Sequence, residues 1–162
     1  MRAELERFGG TVEKFIGDAV MALFGAPAGH EDDPERAVRA ALAIRDWVRG
    51  EDRIQVRVGV NTGEALVVLG ARPAEGEGMA AGDVVNTAAR LQAAAAVNGI
   101  LVGERTFRAT RGVVEYREAR RRARRANSSR WRCGRQRGRG AGRAGSRAWP
   151  GRLWWAENGS SA

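Results

Sequence analysis

Clustered apolar residues near the start of the chain indicate two short strands, at 12–16 and 19–24. The pair Gly17-Asp18 between them is a good two-residue hairpin turn, because glycine tolerates positive φ and aspartate favours turns. The preceding residues, 1–8, are typical of a helix end, since Gly9-Gly10 offers a left-handed C-terminal cap. We therefore predict a helix that ends in front of a β-hairpin.

Two longer segments have apolar residues at helical spacing. The first follows Asp32, Asp33 and Pro34, residue types that favour a helix N-terminus, and it ends before Gly50. Its apolar stripe consists of Ala37, Ala41, Ile44 and Val48. The second segment covers 83–95, and its stripe consists of Val84, Ala88, Leu91 and Ala95. Both segments are predicted to be helices with one buried face.

The segment 54–60 alternates between apolar and other residues, which predicts a strand with one face on the core. Turn residues at 61–63 precede a second apolar run at 65–69, so that 54–69 is predicted to be a hairpin. A loop rich in Gly, Glu and Ala follows at 70–82, and loops of this length are often functional.

Three shorter elements complete the patterned part of the chain. They are a strand at 100–102, a helix at 104–110 and a strand at 113–117. Because strands and helices are mixed and hairpins are present, the predicted class is α+β with a largely antiparallel sheet.

The charge of the chain is divided unevenly at about residue 118. Residues 1–118 hold 15 basic and 18 acidic side chains, whereas residues 119–162 hold 13 arginines and one acidic residue, Glu157. The second part has Leu153 as its only branched aliphatic residue. Such a composition does not build a core of its own. We predict a folded domain at 1–118 and an Arg/Gly/Trp-rich disordered tail at 119–162.

Simple counts exclude several classes of protein. The single cysteine, Cys133, excludes an intramolecular disulfide framework and a cysteine zinc site within one chain. No stretch reaches the ~18 apolar residues that a membrane span requires, and the charged opening does not have the apolar core of a signal peptide. We therefore expect a cytoplasmic protein with no membrane partner.

Several segments within 9–118 resemble the catalytic domain of bacterial class III adenylate/guanylate cyclases, in the order and spacing of that family. They are GGTVEKFIGDAVMALFGAP, HEDDPERAVRAALAIRDWV, RVGVNTGEALV, AAGDVVNTAARLQ and ILVGERTFRAT. The resemblance implies a ferredoxin-like nucleotidyl cyclase fold. Because the family's first strand and last strand have no counterpart in the sequence, we expect an incomplete fold, from a fragment or a mis-assigned start codon.

In this family, the ribose 3′ hydroxyl of a nucleoside triphosphate attacks the α-phosphate of the same molecule, and pyrophosphate leaves. The resemblance implies two Mg²⁺ or Mn²⁺ ions, held by two aspartates, that activate the hydroxyl and stabilise phosphate charge. Asp18 matches one of these ligands, although Gly-Asp is also a common turn dipeptide. The second aspartate lies on the family's upstream strand, which this sequence lacks, so we expect weakened metal binding.

Lys14 matches the family position that contacts the purine, where an ammonium group donates to a ring nitrogen or carbonyl. Lys14 is the only lysine of the chain, although an exposed strand lysine is the simpler interpretation. In the family, its partner is an aspartate seven residues before the transition-state asparagine. The corresponding residue here is Met79, whose thioether does not replace a carboxylate. The resemblance therefore leaves the choice between ATP and GTP open.

Asn86 and Arg90 match the family pair that orients the ribose and stabilises charge on the reacting phosphate. One helical turn separates them, so both side chains share one face of the predicted helix. A guanidinium offers several N–H donors to phosphate oxygens. The simpler interpretation of this pair is a solvated helix face. His30 has no partner at ligand spacing and is interpreted as a solvated loop histidine.

The arginine-rich tail has two interpretations. Arginine with interspersed glycine and tryptophan would bind nucleic acid non-specifically, through phosphate neutralisation and stacking. The favoured interpretation is out-of-frame translation. A GC-rich back-translation of 126–136, read from its third base, gives Gln-Leu-Glu-Pro-Val-Ala-Val-Trp-Glu-Ala, which is like the end of a cyclase domain.

The resulting hypothesis is a fragment of a nucleotidyl cyclase that in its complete form makes a cyclic nucleotide from ATP or GTP for signalling. We expect the complete domain to act as a homodimer and this chain to be inactive by itself. Two alternatives stay open: a catalytically dead regulatory or dimerisation domain, and an Arg-rich nucleic-acid-binding protein.

Overall fold

A computed structural model of the chain describes residues 1–51, 53–68, 80–119, 130–136 and 152–160. Within these residues the helices are α1 (Arg2–Arg7), α2 (Asp33–Val48), α3 (Asp83–Ala94) and α4 (Glu104–Thr110). The strands are β1 (Thr11–Ile16), β2 (Ala19–Phe24), β3 (Ile54–Thr62), β4 (Leu66–Val67), β5 (Ala80–Ala81), β6 (Gly99–Gly103), β7 (Val114–Glu118), β8 (Arg130–Gln136) and β9 (Arg152–Ser160).

Seven of the described strands form one sheet, in the order β1-β2-β9-β3-β6-β8-β7. The pair β3 and β6 is parallel, and the other neighbouring pairs of this sheet are antiparallel. The strands β4 and β5 form a separate short antiparallel ladder. These pairings confirm the predicted α+β class with a largely antiparallel sheet.

Helices cover both faces of the sheet, and each face carries buried apolar side chains. One face carries the main core, in which Val58 of β3 and Ile100 of β6 pack with the buried stripe of α2. The other face receives α3, which contributes Val84 and Leu91 to two smaller apolar clusters. The buried stripes predicted for α2 and α3 are thus confirmed.

The ends of α1 and α2 are fixed by different interactions. After α1, Gly9 adopts φ 81° and the Gly10 amide donates to the Leu5 carbonyl at 2.8 Å, which confirms the predicted glycine stop. At α2, Asp32 occupies the N-cap position without a side-chain cap bond. Its carboxylate instead accepts from Arg36 Nε at 2.9 Å and forms an ion pair one turn along the helix.

The predicted hairpin over 54–69 is wrong. β3 pairs with β6 and β9, whereas β4 pairs with β5, so β3 and β4 are not partners. Leu66 is 73% exposed, which means that the second apolar run has left the sheet after the turn. Turn residues followed by an apolar run describe a change of direction, but they do not specify which strand becomes the partner.

The tail that was expected to be disordered contains two strands. β8 pairs with β6 and β7, and β9 lies between β2 and β3, antiparallel to each. β9 therefore occupies an interior position of the sheet. Open strand edges present N–H and C=O groups that an extended segment satisfies through its backbone, so composition alone does not exclude pairing. The out-of-frame origin of the tail stays a prediction.

No helix among the described residues combines the length and the apolar character that crossing a membrane would require.

Candidate active site

The turn between β1 and β2 presents Asp18 at the surface. Gly17 adopts φ 60°, a conformation that glycine reaches without strain, and Ile16 pairs with Ala19 across the turn. β2 is buried along its whole length, so the turn is anchored in the core while the Asp18 residue is exposed. The turn therefore presents Asp18 to solvent.

Asn86 and Arg90 lie on the exposed side of α3, opposite to its buried stripe. The helix is held against the sheet at Gly59, where an added methyl carbon would come within 2.5 Å of the Gln92 backbone nitrogen. Because glycine has no side chain, the backbone of α3 can pack directly on β3 at this point. The side of α3 that faces away from the sheet is therefore the exposed one. The structure thus places the pair on one accessible face, as the helical spacing predicts.

The start of α3 is joined to the β1–β2 hairpin by two contacts. Val84 shares an apolar cluster with Met21 and Leu23 of β2. The Ala80 amide donates to the Glu13 carboxylate at 3.3 Å. The hairpin that carries Asp18 and the helix that carries Asn86 are therefore packed together, although they are far apart in the sequence.

Lys14 lies on β1 opposite Met21, four residues before Asp18 in the chain. Met79, the second residue expected to contact a base, lies outside the described residues. His30 is exposed, and its Nδ1 lies 3.4 Å from Asp33 Oδ1, which agrees with a loop histidine rather than a metal ligand.

A cleft of about 350 Å³ lies at the end of β3, between the first turns of α3 and α4. Thr62, Thr87 and Arg105 are among the residues that line it, but Asp18, Asn86 and Arg90 are not. Asp18, Asn86 and Arg90 therefore lie on exposed surface outside this cleft.

Within the described part of the chain, no group of three or more His, Cys, Asp or Glu residues is arranged to hold a metal ion. Among the residues that the structure describes, two have a clearly shifted pKa, and both lie elsewhere. Burial raises the pKa of Tyr116 on β7 and that of Cys133 on β8, at the opposite edge of the sheet from β1. These two groups reflect core packing and not a reactive site.

The comparison with protein families decides the identity of the fold. The model of the adenylate and guanylate cyclase catalytic domain matches residues 3–129. The chain belongs to this family. The match covers the β1–β2 hairpin, α3 and the elements up to β7, so it includes every residue that the resemblance assigned to the site.

Relatives of this cyclase domain are found in bacteria. An uncharacterised protein of Rhizobium meliloti is 37% identical over 103 residues, which are 60% of this chain and 10% of that protein. Adenylate cyclase 1 of Rhizobium meliloti is 33% identical over 92 residues, which are 51% of this chain and 14% of that protein. The chain thus spans a small part of the length of these curated relatives.

A solved structure supports the same fold. The adenylyl cyclase CyaB from P. aeruginosa superposes with a TM-score of 0.70 at 25% identity, over 84% of this chain and 77% of that chain. The cyclase fold is therefore present in this chain, with α+β architecture as predicted.

Two acidic residues of this cyclase domain were missed by the sequence reasoning. Glu13 is 1% exposed on β1, and its position next to Lys14 in the strand gave no local signal that its carboxylate is buried. Glu157 lies on β9 at the register position opposite Ala19, one residue from Asp18. Nothing in the local sequence predicts that Glu157 lies near Ala19, because this contact arises from the pairing of two strands that are distant in the sequence.

Proposed function

We propose that this cyclase domain binds a purine nucleoside triphosphate together with Mg²⁺ or Mn²⁺, and that the complete domain converts it into a cyclic nucleotide and pyrophosphate. The observation that carries the proposal is the presentation of Asn86 and Arg90 on the accessible face of α3, which packs against the hairpin of Asp18. A cytoplasmic location, where such nucleotides are abundant, is part of the proposal.

Each residue has a distinct role in this proposal. Arg90 donates N–H groups to the oxygens of the reacting phosphate and stabilises their charge. Asn86 orients the ribose, so that the 3′ hydroxyl faces the α-phosphate for in-line attack. Lys14 donates to a ring nitrogen or carbonyl of the purine. With Met79 at the partner position, the proposal does not distinguish ATP from GTP.

The donor chemistry of the turn fits a divalent cation in part. Asp18 supplies a hard carboxylate oxygen at an exposed turn, which suits Mg²⁺ or Mn²⁺. When bound, the ions would activate the 3′ hydroxyl and neutralise phosphate charge. Asp18 is the one residue that the resemblance assigns to metal, and two ions usually need more than one carboxylate. We therefore propose that the isolated chain turns over nucleotide negligibly.

A second copy of the chain is the proposed partner that completes the site. Phe15, close to the Gly17-Asp18 turn, is 57% exposed, and Leu66 and Val68 are 73% and 52% exposed. Apolar side chains of this size at the surface are suited to burial against another protein. A homodimer would cover them and convert the open surface around α3 into an enclosed site.

The proposal is tested with the purified full chain, by measuring Mn²⁺-dependent binding of fluorescent ATP and GTP analogues. The Arg90→Ala variant is expected to weaken binding by roughly tenfold or more, because a charge-assisted contact to phosphate is lost. Arg111→Ala, which removes another exposed arginine outside the proposed site, is the matched control and is expected to bind like the parent. Equal binding by all three proteins would contradict the proposal.

Turnover is measured separately, by incubating the chain with ATP or GTP and Mn²⁺ and assaying cyclic product. We expect no product above background. Product formation that Asp18→Ala abolishes would overturn the proposed inactivity and at the same time support Asp18 as a metal ligand. Nucleotide binding without turnover agrees both with this proposal and with a catalytically dead regulatory domain.

The 13 arginines in residues 119–162 support a second, weaker activity, which is non-specific binding of nucleic acid. Affinity for DNA and RNA of unrelated sequence should be similar and should fall steeply as salt is raised. A marked preference for one sequence would contradict the non-specific mode.

A further inference from the structure

Glu13 is a buried carboxylate with no assigned role in the site. It is 1% exposed, whereas glutamates are almost never so fully buried unless other groups satisfy them. The register between β1 and β2 shifts between Val12 and Lys14, so Glu13 occupies a β-bulge. Bulges redirect a side chain relative to the regular ladder. A buried carboxylate, which is unfavourable without compensating interactions, thus lies at the β-bulge directly beside Lys14.

The carboxylate of Glu13 contacts the segment that leads into α3. Glu13 Oε1 accepts the backbone N–H of Ala80 at 3.3 Å, across 67 residues of sequence. Ala80 begins β5, and Gly82, with φ 136°, is the N-cap residue of α3. Only two residues therefore separate the contact from the first residue of the helix that carries Asn86 and Arg90.

A second contact joins the same two segments but has a different character. Ala80 and Val85 pack against the cluster of Met21, Leu23 and Val84. Apolar packing is not directional and would tolerate a small slide of the α3 start along the hairpin. A hydrogen bond to one named amide defines a position along the strand, so the two contacts together fix both distance and register.

We propose that Glu13 is a positioning residue, which holds the start of α3 in register with the hairpin and thereby places Asn86 and Arg90 relative to Lys14 and Asp18. The nucleotide part of this inference rests on the proposed function. The contact itself does not, because it is made entirely within the chain.

The test compares two substitutions at position 13 in the full chain. Glu13→Gln keeps an acceptor oxygen for the Ala80 amide, whereas Glu13→Met fills a similar volume without one. Hydrogen exchange at the Ala80 amide reports the contact directly. Binding of the fluorescent nucleotide analogues with Mn²⁺ reports its consequence, and thermal melting reports overall stability. Glu115→Met, at an exposed position on β7, is the matched control.

We expect Glu13→Met to accelerate exchange at Ala80 and to weaken nucleotide binding by roughly tenfold, because the Ala80 amide loses its acceptor. Glu13→Gln should retain protection and affinity within about twofold. Loss of affinity in both variants, or unchanged Ala80 exchange in Glu13→Met, would overturn the positioning role.

Two further measurements test the positioning role if Glu13→Met does not fold or if the parent chain does not bind nucleotide. If Glu13→Met does not fold, Ala80→Pro removes the donor instead and should weaken nucleotide binding to the same extent, while full affinity in that variant would refute the inference. If the parent chain binds no nucleotide, the proposed function fails, and the exchange at Ala80 in Glu13→Gln and Glu13→Met still decides whether Glu13 holds this segment.

Discussion

Gly59 on β3 and Gln92 on α3 are in such close backbone contact that no side chain fits between them. A methyl carbon added to Gly59 would lie 2.5 Å from the Gln92 nitrogen. The contact is between main-chain atoms of two regular elements, so neither partner has a flexible side chain that moves away. The close packing sets the distance between the sheet and the helix that carries Asn86 and Arg90.

The Gly59→Ala substitution is therefore expected to destabilise the domain by about 3 kcal/mol, at the upper end for overpacking. Chemical denaturation of the purified variant measures the change in the free energy of unfolding. Gly112→Ala is the matched control, because an added carbon there meets nothing within 4 Å. A Gly59→Ala variant as stable as the control would show that α3 is not held by this contact.

A second close relationship joins β3 to α4 through two buried hydroxyl groups. Thr62 Oγ1 and Thr106 Oγ1 lie 2.9 Å apart, and both residues are buried. We expect Thr106→Val to cost about 1–3 kcal/mol, because the hydroxyl of Thr62 loses its partner. The double variant Thr62→Val/Thr106→Val should cost less than the sum of the two single variants. A double-mutant cycle by urea denaturation measures this coupling, and strict additivity would contradict it.

The thiol of Cys133 is expected to be unreactive in the folded protein. Burial raises the pKa of Cys133 to about 12, the largest cause, while the Arg45 charge acts in the opposite direction. At pH 8 only about one thiol in ten thousand is then ionised, and the thiolate is the nucleophile. Labelling with a chromogenic disulfide reagent should be slow in buffer and fast in guanidinium chloride. Rapid labelling of the folded chain would show that β8 is open to solvent.

Stability is expected to fall at alkaline pH. Burial raises the pKa of Tyr116 and of Cys133 above their ordinary values, so the unfolded chain ionises first as pH rises. Because the unfolded state then binds fewer protons, the free energy of unfolding decreases once pH exceeds about 9, the ordinary pKa of the thiol. Below that pH these two groups contribute their full stabilisation. Denaturation at pH 7 and pH 10 tests this, and Cys133→Ala should flatten part of the decline.

The strand β9 provides a test of the tail. It pairs with both β2 and β3, so deleting residues 152–162 should expose two strand edges, lower the melting temperature and promote association. Deleting residues 161–162 alone is the control and should change little. A melting temperature that is unaffected by the longer deletion would favour the disordered tail predicted from composition.

Local patterns were sufficient for most elements of the domain. The hairpin turn at Gly17-Asp18, the buried stripes of α2 and α3 and the bounds of α4 follow from residue types a few positions apart, because turns, caps and helical faces depend on near neighbours. The exposure of Asn86 and Arg90 was predicted in the same way. When the apolar stripe of a helix is buried, the residues on the opposite side of that helix face the solvent.

The pairing of strands that are distant in the sequence was decided by the tertiary structure alone. The sequence joined 54–60 to 65–69, but β3 instead accepts β6 and β9, and its partners lie about 40 and 100 residues further along the chain. Any extended segment offers the same backbone N–H and C=O groups, so the residues of a strand do not specify which other strand pairs with it.

The sequence by itself determined the class of the fold, the family and the exposed position of Asn86 and Arg90 on their helix. Three contacts were decided only by the tertiary structure. The backbone of α3 packs directly on Gly59, Glu13 accepts a hydrogen bond from the Ala80 amide, and Glu157 lies opposite Ala19. The physical reason is that these contacts join segments that are far apart in the sequence, whereas periodic patterns of apolar residues report only on neighbours within one helix or strand. They exist because packing brings together groups of complementary shape and hydrogen-bonding capacity.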